Sequence, residues 1–118
     1  MDIDKMRNGF QKVLSDGGDT YLIYYMNFWK PRPEVETIKK LSDYTYLMTL
    51  MAGDMEEIFY YLQGEMWSPE GEARDLISEL GLEHTSISVG DILYNRNNDA
   101  WFIVDHHGFT EIEMNVWK

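Results

Sequence analysis

The chain has 118 residues, 44% apolar and 14% aromatic, with no cysteine and a formal charge of -11. That length fits one domain, and the apolar content is enough for a packed core and disfavours intrinsic disorder. The charge argues against direct contact with nucleic acid or an anionic membrane, while the missing thiols exclude disulfides, thiolate catalysis and cysteine-ligated zinc.

In chain order, Met6, Phe10, Val13 and Leu14 recur at spacings of three and four, which predicts an amphipathic helix over residues 4–14, stopped by Gly17-Gly18. The next segment, Tyr21-Leu22-Ile23-Tyr24-Tyr25-Met26-Asn27-Phe28-Trp29, is apolar almost throughout and ends before Pro31 and Pro33. Its periodicity leaves helix and strand open. Aromatic and β-branched content favours a strand, whereas the preceding glycine pair and the possible caps Asp19 and Thr20 favour a helix, which is the expectation taken. Residues 44–51 read as the first strand of the main sheet.

Asp54 stands at an N-cap with Glu57 three residues later, a capping-box pattern that opens a helix over residues 55–63. Met55, Ile58, Phe59 and Leu62 form its expected buried stripe, with Glu56, Tyr60 and Gln63 outward. Ser68-Pro69 opens another helix, Glu70 and Glu72 sit near the positive end of its dipole, Leu76, Ile77 and Leu80 bury it and Gly81 ends it. Strands follow at 88–94, 101–105 and 109–114, joined by a loop over residues 95–99 and a tighter turn at His106-His107-Gly108. Short turns between the last three strands imply an antiparallel meander. The expected fold is α+β: about four antiparallel strands with helices packed on one face, a core over residues 44–114 and an N-terminal helical extension over residues 1–43.

No arrangement specifies catalysis. His84, His106 and His107, with Asp91 and Asp105 nearby, lack the spacing of a metal site, and adjacent side chains on an extended chain point to opposite sides. Ser86 and Ser88 have no nucleophile elbow around them, so local hydrogen bonding is their expected role, with Gly90-Asp91 making a bend. No phosphate-binding glycine loop or dinucleotide fingerprint occurs. No catalytic residue, metal or cofactor is therefore assigned.

The acidity is uneven. Residues 1–59 hold 7 basic and 10 acidic residues, and residues 60–118 hold 3 and 11. An acidic surface in the second half is suited to a basic protein partner, through Glu70, Glu72, Asp75, Glu79 and Glu83, with Trp29, Tyr60 and Trp67 as aromatic anchors.

The stretch His84-Thr85-Ser86-Ile87-Ser88-Val89-Gly90-Asp91, with Ala100-Trp101-Phe102-Ile103-Val104 and Gly108-Phe109-Thr110-Glu111-Ile112 downstream, resembles a diffuse set of small phage, plasmid and integrated-element proteins that includes YodL-like domains. Their outline has an acidic helix start, met here by Asp54-Met55-Glu56-Glu57-Ile58-Phe59 with one acidic residue shifted, then S-x-S-V-G-D and G-F-x-E-I. Ser86, Ser88, Gly90, Asp91, Gly108 and Phe109 carry the motif here. The resemblance covers roughly residues 44–112, implies a mobile-element setting and carries over no catalytic residue. Together these readings give the expectation of a non-enzymatic accessory protein in a host cytoplasm that binds and modulates or inhibits a host protein, with no direct nucleic-acid or membrane contact. A small-molecule-binding or catalytic domain using His84 or His106 with a nearby carboxylate is the alternative, and a self-associating homodimer is a third.

Overall fold

The computed structural model describes residues 2–27 and 38–115. Its elements are α1 (Ile3–Asn8), β1 (Asp19–Met26), β2 (Ile38–Lys40), a 3-10 turn (Leu41–Asp43), β3 (Tyr44–Ala52), α2 (Met55–Tyr61), α3 (Gly64–Trp67), α4 (Arg74–Glu79), β4 (Ile92–Asn95), β5 (Ala100–Asp105) and β6 (Gly108–Asn115). Five strands form an antiparallel sheet in the order β6-β5-β4-β1-β3, and β2 joins the β6 edge in parallel. The fold is α+β, with two more strands among the described residues than the four expected.

The period of two along the strands separates two apolar clusters. Tyr21, Ile23 and Tyr25 of β1 join Leu93 and Val104 on one face, and every helical residue of either cluster packs there, including Ile58, Leu62, Trp67, Leu76 and Ile77. Met26, Tyr44, Ile92, Ile103 and Ile112 form the second cluster, on the face turned away from the helices. A bulge between the Ile23 and Tyr24 pairs lets Leu47 and Met48, neighbours in β3, both enter the first cluster.

The largest correction concerns residues 21–29. The described part is β1, a central strand paired with β3 on one side and β4 on the other, rather than a helix; Phe28 and Trp29 lie outside the described residues. Alternation of fully buried and partly buried positions along a β-branched and aromatic run matches a strand covered on both faces, and tertiary pairing overrides the local glycine signal. The expected division at residue 44 is therefore corrected too: β1 supplies the sheet and both clusters, so Asp19–Met26 belongs to the core rather than to an extension outside it.

The first helix is also shorter than the apolar spacing implied. It ends at Asn8, and the following residues run along the outer edge of β3. Leu14 N–H donates to Met51 O at 2.8 Å and Met51 N–H to Lys12 O at 3.2 Å. Side chains extend the cover: Arg7 Nε donates to Leu47 O at 2.7 Å, and Gln11 Oε1 accepts from Thr49 N–H at 3.0 Å. An edge strand needs such partners, and here they outweigh helix propensity beyond residue 8. Val13, expected on the helix's apolar side, is 62% exposed.

Only Leu41–Asp43 link β2, at one end of the strand order, to β3 at the other. The Cα path from Lys40 to Tyr44 covers at most about 15 Å, whereas a flat sheet would separate those strands by about 24 Å. The sheet is therefore strongly curled.

Asp54 caps α2 by accepting from Glu57 N–H at 2.9 Å, as the spacing predicts. The Glu57 carboxylate turns instead to Gly53 N–H and the Ser15 hydroxyl, which moors the N-terminal segment to α2. The helix expected to start at Pro69 starts only at Arg74, as α4, and a separate short helix, α3, precedes Ser68. Gly71 has a φ of 86° between them, and the Ser68 hydroxyl accepts from Ala73 N–H at 2.9 Å, so Glu70 and Glu72 lie in the intervening turn. Past α4, Gly81 N–H donates to Ser78 O and Leu82 N–H to Ile77 O, the paired bonds of a Schellman stop.

Because β1 is central, its Leu22, Ile23, Tyr24 and Tyr25 amides should exchange with solvent only through near-global opening. Ile23→Ala should cost about 3 kcal/mol. Hydrogen exchange and urea denaturation check both; rapid exchange across these amides would contradict a central placement.

Candidate functional site

The S-x-S-V-G-D segment folds into a bend before β4, which is why that strand begins at Ile92 rather than Ser88. Its centre is the Asp91 carboxylate, 0% exposed. Oδ1 accepts from Met26 N–H at 2.9 Å; Oδ2 accepts from Ser88 N–H at 2.8 Å and lies 2.8 Å from His84 Nε2. Burial raises the Asp91 pKa above its ordinary value, and the His84, Met26 and Ser88 contacts oppose that shift.

The bend is fastened on every side. Gly90 N–H donates to Val104 O at 2.9 Å and Val104 N–H to Asp91 O at 2.8 Å. Gly90 has a φ of 102°, a conformation that favours glycine, and a Cβ there would lie 2.7 Å from Met26 Sδ and displace that thioether. Ile87 N–H donates to Leu62 O at 3.0 Å, the Ser86 hydroxyl accepts from Gly64 N–H at 2.7 Å, and the Ser88 hydroxyl donates to Ser86 O at 3.0 Å. Tyr25 stacks on His84 with centroids 4.5 Å apart and donates its hydroxyl to Thr85 O at 2.8 Å. Burial pushes the Tyr25 hydroxyl well above its ordinary value, which keeps it a donor.

A His–Asp contact of this length is also the geometry of an acid–base pair. His84 Nδ1 is buried and has no hydrogen-bond partner among the described residues, while the side chain as a whole is 12% exposed. The pair ties the bend together. No group of three or more His, Asp or Glu side chains that could hold a metal ion occurs among the described residues.

The bend also places two walls of a surface groove, because it holds the end of α2 through Leu62 and the start of α3 through Gly64, and holds β5 through Val104. The groove has a volume of about 470 Å³ and runs between Glu56, Phe59 and Tyr60 of α2, with Gln63 just past its end, and the turn joining β5 to β6. Those α2 positions are spaced as one helical face. Tyr60 is 64% exposed and Phe59 38%. Phe109 meets Phe59 edge to face at 6.4 Å, and Gly108, with a φ of 135°, opens β6 beside it. Asp105 sits on the rim, where the Thr110 hydroxyl and the His106 amide lower its pKa and favour the charged carboxylate.

The sequence-chosen residues thus separate. Ser86, Ser88, Gly90 and Asp91 share the bend, and Gly108 and Phe109 lie at the groove. Tyr60 is on the groove, whereas Phe59, expected in the core stripe, is exposed beside it. Trp67 is corrected from anchor to core: it is 4% exposed, donates Nε1–H to Thr85 O at 3.2 Å and packs against Phe10 at 5.0 Å. Trp29 lies outside the described residues. Glu70, Glu72, Asp75, Glu79 and Glu83 are all exposed, with Arg74 the one cation between residues 65 and 83. The adjacent aromatic pair Phe59-Tyr60 was the signal for the groove, since a helix with one buried stripe has no use for both. No helix among the described residues is long and apolar enough to cross a membrane. No family model, curated protein or solved structure matches the chain.

Asp91→Asn turns an amide N–H toward donors that now face a carboxylate oxygen, and should cost about 3 kcal/mol. Asp91 has a folded-state pKa above its ordinary 3.8, so the stability linked to its proton is complete below about pH 3.8 and is lost as the pH rises through the folded-state value. The advantage of the unmutated chain over Asp91→Asn should therefore narrow as the pH rises above about 4. Urea midpoints across pH measure this, and an advantage that widens with pH would contradict it.

Proposed function

We propose that this chain is a non-enzymatic accessory protein that binds and modulates or inhibits a host protein with a basic surface. The observation that carries the reading is the exposed aromatic face of α2 over the groove. A short surface helix normally turns polar residues outward, and an aromatic pair beside a concavity marks a contact surface. Interfaces draw much of their energy from a few such anchors.

The chemistry of the partner follows from charge. Carboxylates at Glu70, Glu72, Asp75, Glu79 and Glu83 are exposed, and the whole chain carries -11. Such a surface attracts a basic patch and repels phosphate. A host protein that normally handles nucleic acid, in a defence or transcription complex, offers the required patch. The mobile-element setting, and with it a host cytoplasm as the place of action, comes from the resemblance carried by the bend and by Gly108-Phe109.

The groove's volume also lies in the range of small-molecule sites, which keeps a ligand-binding module as the second reading.

Affinity capture from host lysate with the tagged full chain separates these readings when run at low and moderate salt. One stoichiometric partner whose own ligand is nucleic acid should be retained at low salt and fall by about tenfold between 50 and 200 mM salt. It should also be lost when Glu70, Glu72, Asp75, Glu79 and Glu83 are replaced by glutamine or asparagine. A partner indifferent to salt and to those replacements, or no partner alongside a co-purifying small molecule, would overturn the proposal.

A further inference from the structure

The groove itself narrows what part of a partner can enter it, and this deepening rests on the binding reading above. Its aromatic lining is divided between Phe59 and Tyr60 on α2 and Phe109 on β6, and its rim holds the Glu56 and Asp105 carboxylates with the His106 imidazole; no lysine or arginine lines it. Two of these rings, Phe59 and Phe109, already stand nearly perpendicular, at 81°, so an incoming group meets both a ring face and a ring edge. Aromatic faces attract cations electrostatically, most strongly where water is partly excluded, and carboxylates beside them add a counter-charge. The Asp105 carboxylate is held in its charged form by two local donors, which supports the same chemistry.

We propose that the groove between α2 and the β5–β6 turn binds a short basic segment of a partner protein in which an arginine or lysine stands beside a large apolar side chain. The cation lies between Glu56 and Asp105 against the Tyr60 and Phe109 rings, and the apolar side chain covers Phe59. An apolar segment alone would bring the Glu56 and Asp105 carboxylates into low-dielectric contact without a countercharge from the segment. A purely basic segment would leave the aromatic surface in water. Only the combination satisfies both halves of the lining.

The test uses the full chain and a displayed library of random dodecapeptides, followed by fluorescence polarisation with the enriched peptides in labelled synthetic form. Enriched sequences should place Arg or Lys next to Leu, Phe or Trp. Their affinity should fall at least roughly tenfold for Tyr60→Ala and for Asp105→Asn, and stay unchanged for Asp16→Asn, at an exposed position outside the groove and outside the acidic set. Asp105 also accepts hydrogen bonds within the turn, so Glu56→Gln, at an exposed position, keeps the result readable if the Asp105 variant fails to fold. Basic peptides that bind Tyr60→Ala and Glu56→Gln as tightly as the unmutated chain, yet lose affinity with Glu79→Gln, would overturn the groove assignment and leave the acidic binding function standing. Enrichment of acidic or uncharged peptides, or no enrichment at all, would overturn both.

Discussion

The buried carboxylate of Asp91 is the interaction on which the other parts depend. A fully enclosed carboxylate is costly unless it is hydrogen-bonded, and this one is met by the Met26 and Ser88 amides and by His84. Those three partners come from the end of β1, the bend and the segment leading into it. The backbone on either side of the same carboxylate holds β5 through Val104, while Ile87 holds the end of α2 at Leu62 and Ser86 the start of α3 at Gly64. One buried charge thereby sets where the central strand stops, where β4 starts and how far α2 stands from the β5–β6 turn. That last spacing is the width of the groove.

The proposed contact surface follows from what α2 does with its two faces. Ile58 and Leu62 are completely buried against the sheet, and Phe59 and Tyr60 turn the other way over the groove. A seven-residue helix cannot be stable by propensity alone, so its outward aromatics depend on the core side and on the Asp54 cap for their position. In the proposed function the acidic surface works at longer range: exposed carboxylates would raise encounter rates with a basic partner, while contact within the groove would decide which basic surface is kept.

Much of this was legible in the residues, and the failures share a physical cause. Asp54, Gly81, the turn at His106-His107 and the meander of the last strands act through local geometry, which sequence spacing encodes. The nature of residues 21–26 does not. A run apolar on both faces gives the same pattern as a buried helix, and only pairing with β3 and β4, distant along the chain, decides in favour of a strand. Trp67 and Phe59 exchanged their expected places for the same reason, since burial of an aromatic near a helix end depends on whether Phe10 and Thr85 arrive beside it. Asp91 was read as a bend residue bonding nearby amides, and so it is at Ser88. Its bond to Met26 lies 65 positions away and has no trace in local spacing.

The most direct test of the account is hydrogen–deuterium exchange of the full chain, free and bound to its captured partner. A rigid bend that presents an acidic, aromatic groove predicts new protection over residues 56–63 and 104–109 and unchanged exchange over residues 84–91. Protection confined to the outer edge of β3, or loosening of the bend on binding, would contradict it.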